Sequence, residues 1–183
     1  VLFVSHSASR NGATILLLSF LRWLKERVDW DIEVLVHGRG PLLDEFRAIA
    51  KTIVWRDPEP KLNTLFPRQF ASLQRLLQEV HARLSLPSGQ FDLIYANTTA
   101  AVPMVLRLTG KTRSLLWHVH EMSYAMNISL TRNDWVDCFR AATRYIAVSN
   151  VVREALITEQ IIHGDHIDVI NGFIEPQNIN PDI

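Results

Sequence analysis

Cysteine is nearly missing from this chain. Of 183 residues only Cys138 is one, which excludes an intrachain disulfide, and its neighbours Val136, Phe139 and Arg140 offer no metal-ligand spacing. A reducing compartment is the simpler expectation. Net charge is missing too: Lys+Arg 19 against Asp+Glu 19 gives a formal charge of zero, so no overall positive field draws the chain to nucleic acid or anionic lipid. No nucleic-acid partner is expected. The longest apolar run, Ala13 to Leu21, is interrupted by Thr14 and Ser19 and stopped by Arg22, well short of the ~20 residues that cross a bilayer. There is no initiator Met, and Val1, Leu2, Phe3 and Val4 open the chain without a basic leader, so it reads as a piece cut from a longer protein. With Gly 7, Pro 8 and 48% hydrophobic residues the composition excludes disorder and collagen-like repeats. The length suggests one domain, at roughly 150 residues each.

What is present is an alternation of short β-rich runs with longer segments of helical period, the pattern of a parallel sheet between helical layers. The expected fold is α/β, a Rossmann-like three-layer α/β/α sandwich whose mostly parallel sheet has about seven strands. The candidates are Val1 to Ser5, Ile32 to His37, Thr52 to Trp55, Phe91 to Ala96, Ser114 to His120, Arg144 to Val148 and Ile167 to Ile170. Most are near-continuous apolar runs, as strands covered on both faces require.

A first helix is expected from about Gly12 to Val28, with Leu17, Leu18, Leu21, Leu24 and Val28 along one side. Another should follow Pro67 and align Phe70, Leu73, Leu76, Leu77, Val80 and Leu84. A third runs from Thr98 or Thr99 to Thr109 and stops at a left-handed Gly110, with Pro103 inside it. Arg56 to Phe66 and Glu121 to Arg132 read as long loops, which are often functional. Residues 1–170 form the domain, and 171–183, rich in Asn and Pro, read as a linker towards a domain that is absent.

In an open parallel sheet ligands bind beyond the carboxyl ends of the strands. Those ends are polar here: Ser5, His6 and Ser7; His37, Gly38 and Gly40; Asn97, Thr98 and Thr99; His120 and Glu121; Ser149 and Asn150; Asn171 and Gly172. Right-handed crossovers put them on one edge. The turn Ser9-Arg10-Asn11-Gly12-Ala13 joins a buried strand to a helix. It reads either as a tight, ordinarily capped turn or as one whose small residue lets N–H groups at the helix start meet a phosphate. Neither GxGxxG nor GxxxxGK[ST] occurs, which argues against dinucleotide and P-loop sites.

His118-Val119-His120-Glu121 is the most distinctive cluster. Two histidines on one strand face suggest a metal pair. A third ligand would have to come from His6, His37 or Glu121, and no HExxH helix accompanies them, so no metal is expected. His118, beside Trp117, reads as a core histidine, while His120 at the strand's end is placed to hydrogen-bond a ligand. Ser149 precedes a helical stretch, Val151 to Ile157, and is first an N-cap hydroxyl, although a cap at this edge also faces ligand. It lacks the GxSxG elbow of a nucleophile.

In order along the chain, these pieces resemble the N-terminal domain of GT-B glycosyltransferases, in particular the large retaining family four. The resemblance rests on Val1 to Thr14, Gly38-x-Gly40-Pro41-Leu42, Phe91 to Asn97, His118 to Glu121, Tyr145 to Asn150, and Val169 to Pro176. It implies transfer of a sugar from a nucleoside diphosphate sugar to a glycan or lipid-linked acceptor, with retention, no cofactor and no essential metal. It further implies that Asn11, Gly12 and Ala13 approach the donor diphosphate and that His120, as the catalytic residue, lies against the transferred sugar. Asn97, Thr98, Glu121 and Ser149 would line the acceptor side. Where the family often has paired glycines in the first turn, Asn11 here precedes Gly12.

By the same resemblance a second Rossmann-like domain holds most of the donor, so the isolated chain is expected to be inactive. The implied setting is cytoplasmic, with peripheral membrane contact for members that build lipid-linked glycans. Two rival readings are a nucleotide-sugar epimerase of the same architecture, for which Glu121 is the obvious acid/base carboxylate, and a sugar- or nucleotide-binding module without chemistry.

Overall fold

A computed structural model describes residues 1–55, 80, 84–121, 142–158 and 162–173. Seven strands are placed: β1 (Leu2–Ser5), β2 (Glu33–His37), β3 (Lys51–Trp55), β4 (Ile94–Asn97), β5 (Leu115–Val119), β6 (Arg144–Ala147) and β7 (Ile167–Val169). They form one sheet in the order β3-β2-β1-β4-β5-β6-β7, every pairing parallel. The expected Rossmann-like α/β architecture is what the chain adopts. Each strand lies within a residue or two of its expected span except β4. There Phe91 makes only an isolated bridge to Thr112, and the strand proper begins at Ile94.

Side chains alternate across the sheet, so each strand feeds two cores. Leu2, Val4, Ile94, Ala96, Leu115, Trp117 and Val119 fill one, against α3 (Val102–Leu106) and α4 (Asn150–Thr158). Phe3, Val34, Val36 and Tyr95 fill the other, against α1 (Gly12–Lys25) and α2 (Leu43–Ile49). Burying both faces explains why the strands read as unbroken apolar runs. Each fully buried leucine such as Leu21 or Leu35 contributes about 1.5–3 kcal/mol by leaving water.

Helix α1 starts where the sequence suggested, because Asn11 Oδ1 accepts from Thr14 N at 3.0 Å. It stops at Lys25, earlier than Val28: Arg27 N and Val28 N both turn back to Leu24 O at 2.9 Å and close the last turn. Helix α2 was not anticipated. Its signals are short: acids Asp44 and Glu45 in the first turn, and Leu43 and Phe46, both buried, three residues apart.

The single helix expected over 98–109 is broken into a 3₁₀ turn (Thr99–Ala101), α3, and a second 3₁₀ turn (Thr109–Lys111). Pro103 is the reason. Without an N–H it cannot continue a turn begun at Thr99, but it fits the first turn of a new helix. Gly110 is not left-handed; among the described glycines only Gly38 has positive φ, at 72°. The helix expected after Pro67 lies outside the described residues except at Val80 and Leu84. Both are helical and exposed, and Leu86 takes the buried position beyond them.

Two loops at the carboxyl edge are stitched together. Leu42 N donates to Ala8 O at 3.0 Å, and a Cβ added at Gly40 would stand 2.4 Å from the same oxygen. Only glycine lets the β2–α2 loop approach the β1–α1 loop this closely. Gly40→Ala is therefore expected to cost about 1–3 kcal/mol, the usual range for atoms forced into a packed place. Gly110→Ala, whose Cβ would meet nothing within 4 Å, should stay within about 0.5 kcal/mol of the parent. Equal thermal midpoints for the two variants would contradict this account.

Candidate functional site

From β1 the chain winds one way to β2 and β3, and later the other way from β4 to β7, so the sheet reverses direction between β1 and β4. A crevice opens beyond the carboxyl ends of strands at such a point. The parallel register aligns Ser5 of β1, Asn97 of β4 and His118 of β5 across it.

Asn97 is 1% exposed and uses both ends of its carboxamide. Nδ2 donates to Ala13 O at 3.0 Å, in the first turn of α1, and Oδ1 lies 3.0 Å from His120 Nε2 just past β5. Ala13 O only accepts, so Nδ2 must face it and Oδ1 must face the histidine. His118 lies under His120 with ring centroids 4.3 Å apart. Its Nδ1 shares a 2.5 Å hydrogen bond with the Tyr95 hydroxyl. Its Nε2 is buried and has no partner among the described residues.

Burial, helped by neighbouring His120, pulls the His118 pKa down to about 3. Burial also lowers His120; the Glu121 carboxylate opposes this and His6 adds to it. His6 is lowered by burial as well, with Glu121 opposing and His37 reinforcing. Burial raises the Tyr95 pKa, so its hydroxyl keeps its proton. Three histidines therefore meet at neutral pH as uncharged rings.

Thr98 follows Asn97 with φ 73° and ψ 157°, a region that a β-branched residue rarely enters. Such a conformation costs about 1–3 kcal/mol and persists only where neighbours enforce it. Here Thr98 N donates to His118 O at 2.9 Å, and Thr98 O accepts from Trp117 Nε1 at 3.1 Å and from Ala101 N at 3.3 Å. Thr98 Oγ1 hydrogen-bonds His6 Nδ1 at 3.1 Å. The turn aims Thr99 N at Glu121, whose Oε2 accepts from Thr99 N at 3.1 Å and from His120 N at 3.2 Å.

At the start of α1 the turn is held by Asn11, whose Nδ2 donates to Ser7 Oγ at 3.4 Å while Oδ1 caps Thr14. No acidic side chain stands in this first turn, and a Cβ at exposed Gly12 would meet nothing within 4 Å. Neither Gly12 N nor Ala13 N is hydrogen-bonded among the described residues. A helix start of this kind favours an anion.

Of the residues chosen from sequence, Asn97, Thr98, His120 and Glu121 come together, and Ala13 joins them through Asn97. Ser149 stands on the same edge beyond β6, its Oγ accepting from Val152 N at 3.3 Å as the cap of α4. His6 and Tyr95 were not chosen as site residues and belong to the cluster. Tyr95 had a signal: it shares strand parity with Asn97, as His118 does with His120, which puts four polar tips on one buried face. Among the described residues no group of three or more His, Cys, Asp or Glu side chains is placed to share a metal ion. No described helix is long and apolar enough to cross a membrane.

Comparison with known proteins agrees with this fold. The family model for Glycosyltransferase Family 4 matches residues 10–178. The fold is similar to that of Anabaena Alr3699/HepE, solved in complex with UDP and glucose, with a TM-score of 0.63 and 20% identity over 95% of this chain and 44% of that one. It is also similar to apo WaaB, a lipopolysaccharide outer core galactosyltransferase, with a TM-score of 0.61 and 13% identity over 97% of this chain and 47% of that one. The chain thus spans less than half the length of either protein. No curated protein matches it by sequence. Strand order, crevice and family match together lead to one identification: this chain belongs to Glycosyltransferase Family 4 and has the Rossmann-like fold of the N-terminal domain of a GT-B enzyme.

Proposed function

We propose that this domain is the acceptor-side half of a retaining hexosyltransferase that moves a sugar from a nucleoside diphosphate to a glycan or lipid-linked acceptor. One observation carries the reading: the acid-free start of α1 and the ring of His120 are tied to each other through Asn97 at the carboxyl edge of the sheet. A sugar nucleotide needs those two things side by side, an anion site for its diphosphate and a polar group at the sugar. UDP and glucose in HepE are ligands of that chemistry.

In this reading the Gly12 and Ala13 N–H groups approach the diphosphate, with Asn11 holding their turn. A second Rossmann-like domain, following a linker over 171–183, supplies the rest of the donor site. His120, uncharged at neutral pH, orients the transferred sugar and offsets charge that develops as the bond to the leaving diphosphate lengthens. Asn97 and Thr98 build the wall behind it, and Glu121 and Ser149 mark the acceptor side. No metal or other cofactor takes part. The enzyme works in the cytoplasm, with peripheral membrane contact where the acceptor is lipid-linked. The epimerase reading needs a free acid/base carboxylate, and Glu121 Oε2 is already engaged by two backbone N–H groups.

His120→Ala in the full-length protein, assayed with a panel of sugar nucleotides, should lower kcat by about 10²–10³, the range for loss of one group acting on developing charge. Unchanged turnover would remove His120 from the site. Because burial lowers the His120 pKa, the acid limb of the wild-type pH profile should fall below the ordinary histidine value of 6.5; a limb above it would contradict the neutral-ring reading. Gly12→Ala should keep the fold, since a Cβ there meets nothing within 4 Å, while raising KM for the sugar nucleotide. An unaltered KM would exclude the diphosphate assignment. The isolated 183-residue chain should transfer no sugar, and detectable turnover would contradict the two-domain requirement.

A further inference from the structure

An imidazole presents a donor or an acceptor to its ligand depending on which nitrogen carries the proton, and its other hydrogen bond decides which. For His120 that bond runs from Nε2 to Asn97 Oδ1 at 3.0 Å. The Asn97 amide cannot turn round, because its Nδ2 is held by Ala13 O at 3.0 Å and a reversed carboxamide would set two carbonyl oxygens against each other. Oδ1 has no proton to give. The neutral ring must then carry its proton on Nε2.

Nδ1 has no partner among the described residues. Beneath the ring, His118 sits at 4.3 Å and is itself held by Tyr95. The plane of His120 is set from below and its tautomer from the side. Asn97, at 1% exposure, cannot reach a substrate itself.

We infer that Asn97 is a positioning residue: it locks His120 in the Nε2–H tautomer, so that the ring offers Nδ1 as a hydrogen-bond acceptor and recognises a hydroxyl donor on the transferred sugar. This deepens the glycosyltransferase reading and, in its substrate part, rests on it. It also links the two ends of the donor site, since the amide that orients His120 is anchored on the helix turn assigned to the diphosphate.

Long-range ¹H–¹⁵N NMR on this chain with ¹⁵N-labelled histidine tests the lock without any assay of activity. In the wild type at neutral pH His120 should show a protonated-type shift at Nε2 and a bare-type shift at Nδ1. Asn97→Asp, which retains an acceptor for Nε2–H and, with a proton on its other oxygen, a donor for Ala13 O, should preserve that pattern. Asn97→Leu should give exchange-averaged shifts from both tautomers. A wild-type His120 protonated on Nδ1 would overturn the inference even if neither variant folded, as would an unchanged pattern in a folded Asn97→Leu.

In the full-length enzyme Asn97→Leu should lower kcat about 10–100-fold, as loss of an orienting partner commonly does. Asn97→Asp should recover part of that loss. A donor analogue lacking the recognised hydroxyl should be equally poor for wild type and for His120→Ala. If every single-deoxy donor still discriminates between wild type and His120→Ala, the hydroxyl-recognition part falls. Failure of His120→Ala to affect turnover would sink the functional reading and leave the tautomer result standing.

Discussion

One buried carboxamide holds this crevice together. Asn97 leaves β4 with almost no contact with water and a polar group that would cost about 1–3 kcal/mol if left unpaired. Its two ends are satisfied by different elements, the first turn of α1 and the residue after β5. The desolvation cost that makes an unpaired amide expensive also makes this arrangement specific. Neither α1 nor the end of β5 can shift by an ångström without exposing that cost, and three segments far apart in sequence keep one geometry.

The next residue does the opposite kind of work. Asn97 ties elements together, whereas Thr98 turns the chain sharply out of the sheet through a left-handed conformation. Glycine would relieve the strain but would lose the Oγ1 contact to His6. Three further bonds, from Thr98 N and to Thr98 O, hold the turn in place. Because of the turn, Thr99 N meets Glu121, and the same carboxylate oxygen also holds His120 N. The backbone of His120 is thus fixed through Thr98 and Glu121, while its ring is fixed through Asn97 and His118. Ring and backbone are constrained by separate routes that start from adjacent residues.

How much of this was legible depended on the range of the interaction that decides it. The strands were readable because burial on both faces writes a continuous apolar run into the sequence, and Asn11 was readable as a cap because capping spans three residues. The region 98–109 was misread because its apolar period is helical while a single missing N–H, at Pro103, forces the break. Leu43–Ile49 passed unnoticed since a seven-residue helix gives too few turns for a period to stand out. His120 and Glu121 were singled out by position at a strand's end. The contacts of His120 were not legible, because they depend on Asn97, 23 residues away from His120, and on Ala13, 84 residues away from Asn97. Parity along β4 and β5 was the available clue to Tyr95, and it becomes decisive only once the register Asn97↔His118 is known.

The electrostatics of the crevice follow from the same contacts. His6, His118 and His120 are all driven towards the neutral form by burial, so they add little fixed charge at pH 7. Glu121 is the nearby carboxylate, and one of its oxygens is turned to backbone N–H groups. What remains is the exposed start of a 14-residue helix with no acidic side chain in its first turn, a fixed partial positive charge of about half a unit. A site with this balance attracts an anion without binding it tightly, because half a charge at a solvent-exposed edge is worth only about 0.3–1 kcal/mol. Tight binding of a diphosphate would then require further donors or cations from elsewhere, and that requirement, rather than any feature of the fold alone, is the physical argument behind the proposal that this domain holds half of a binding site.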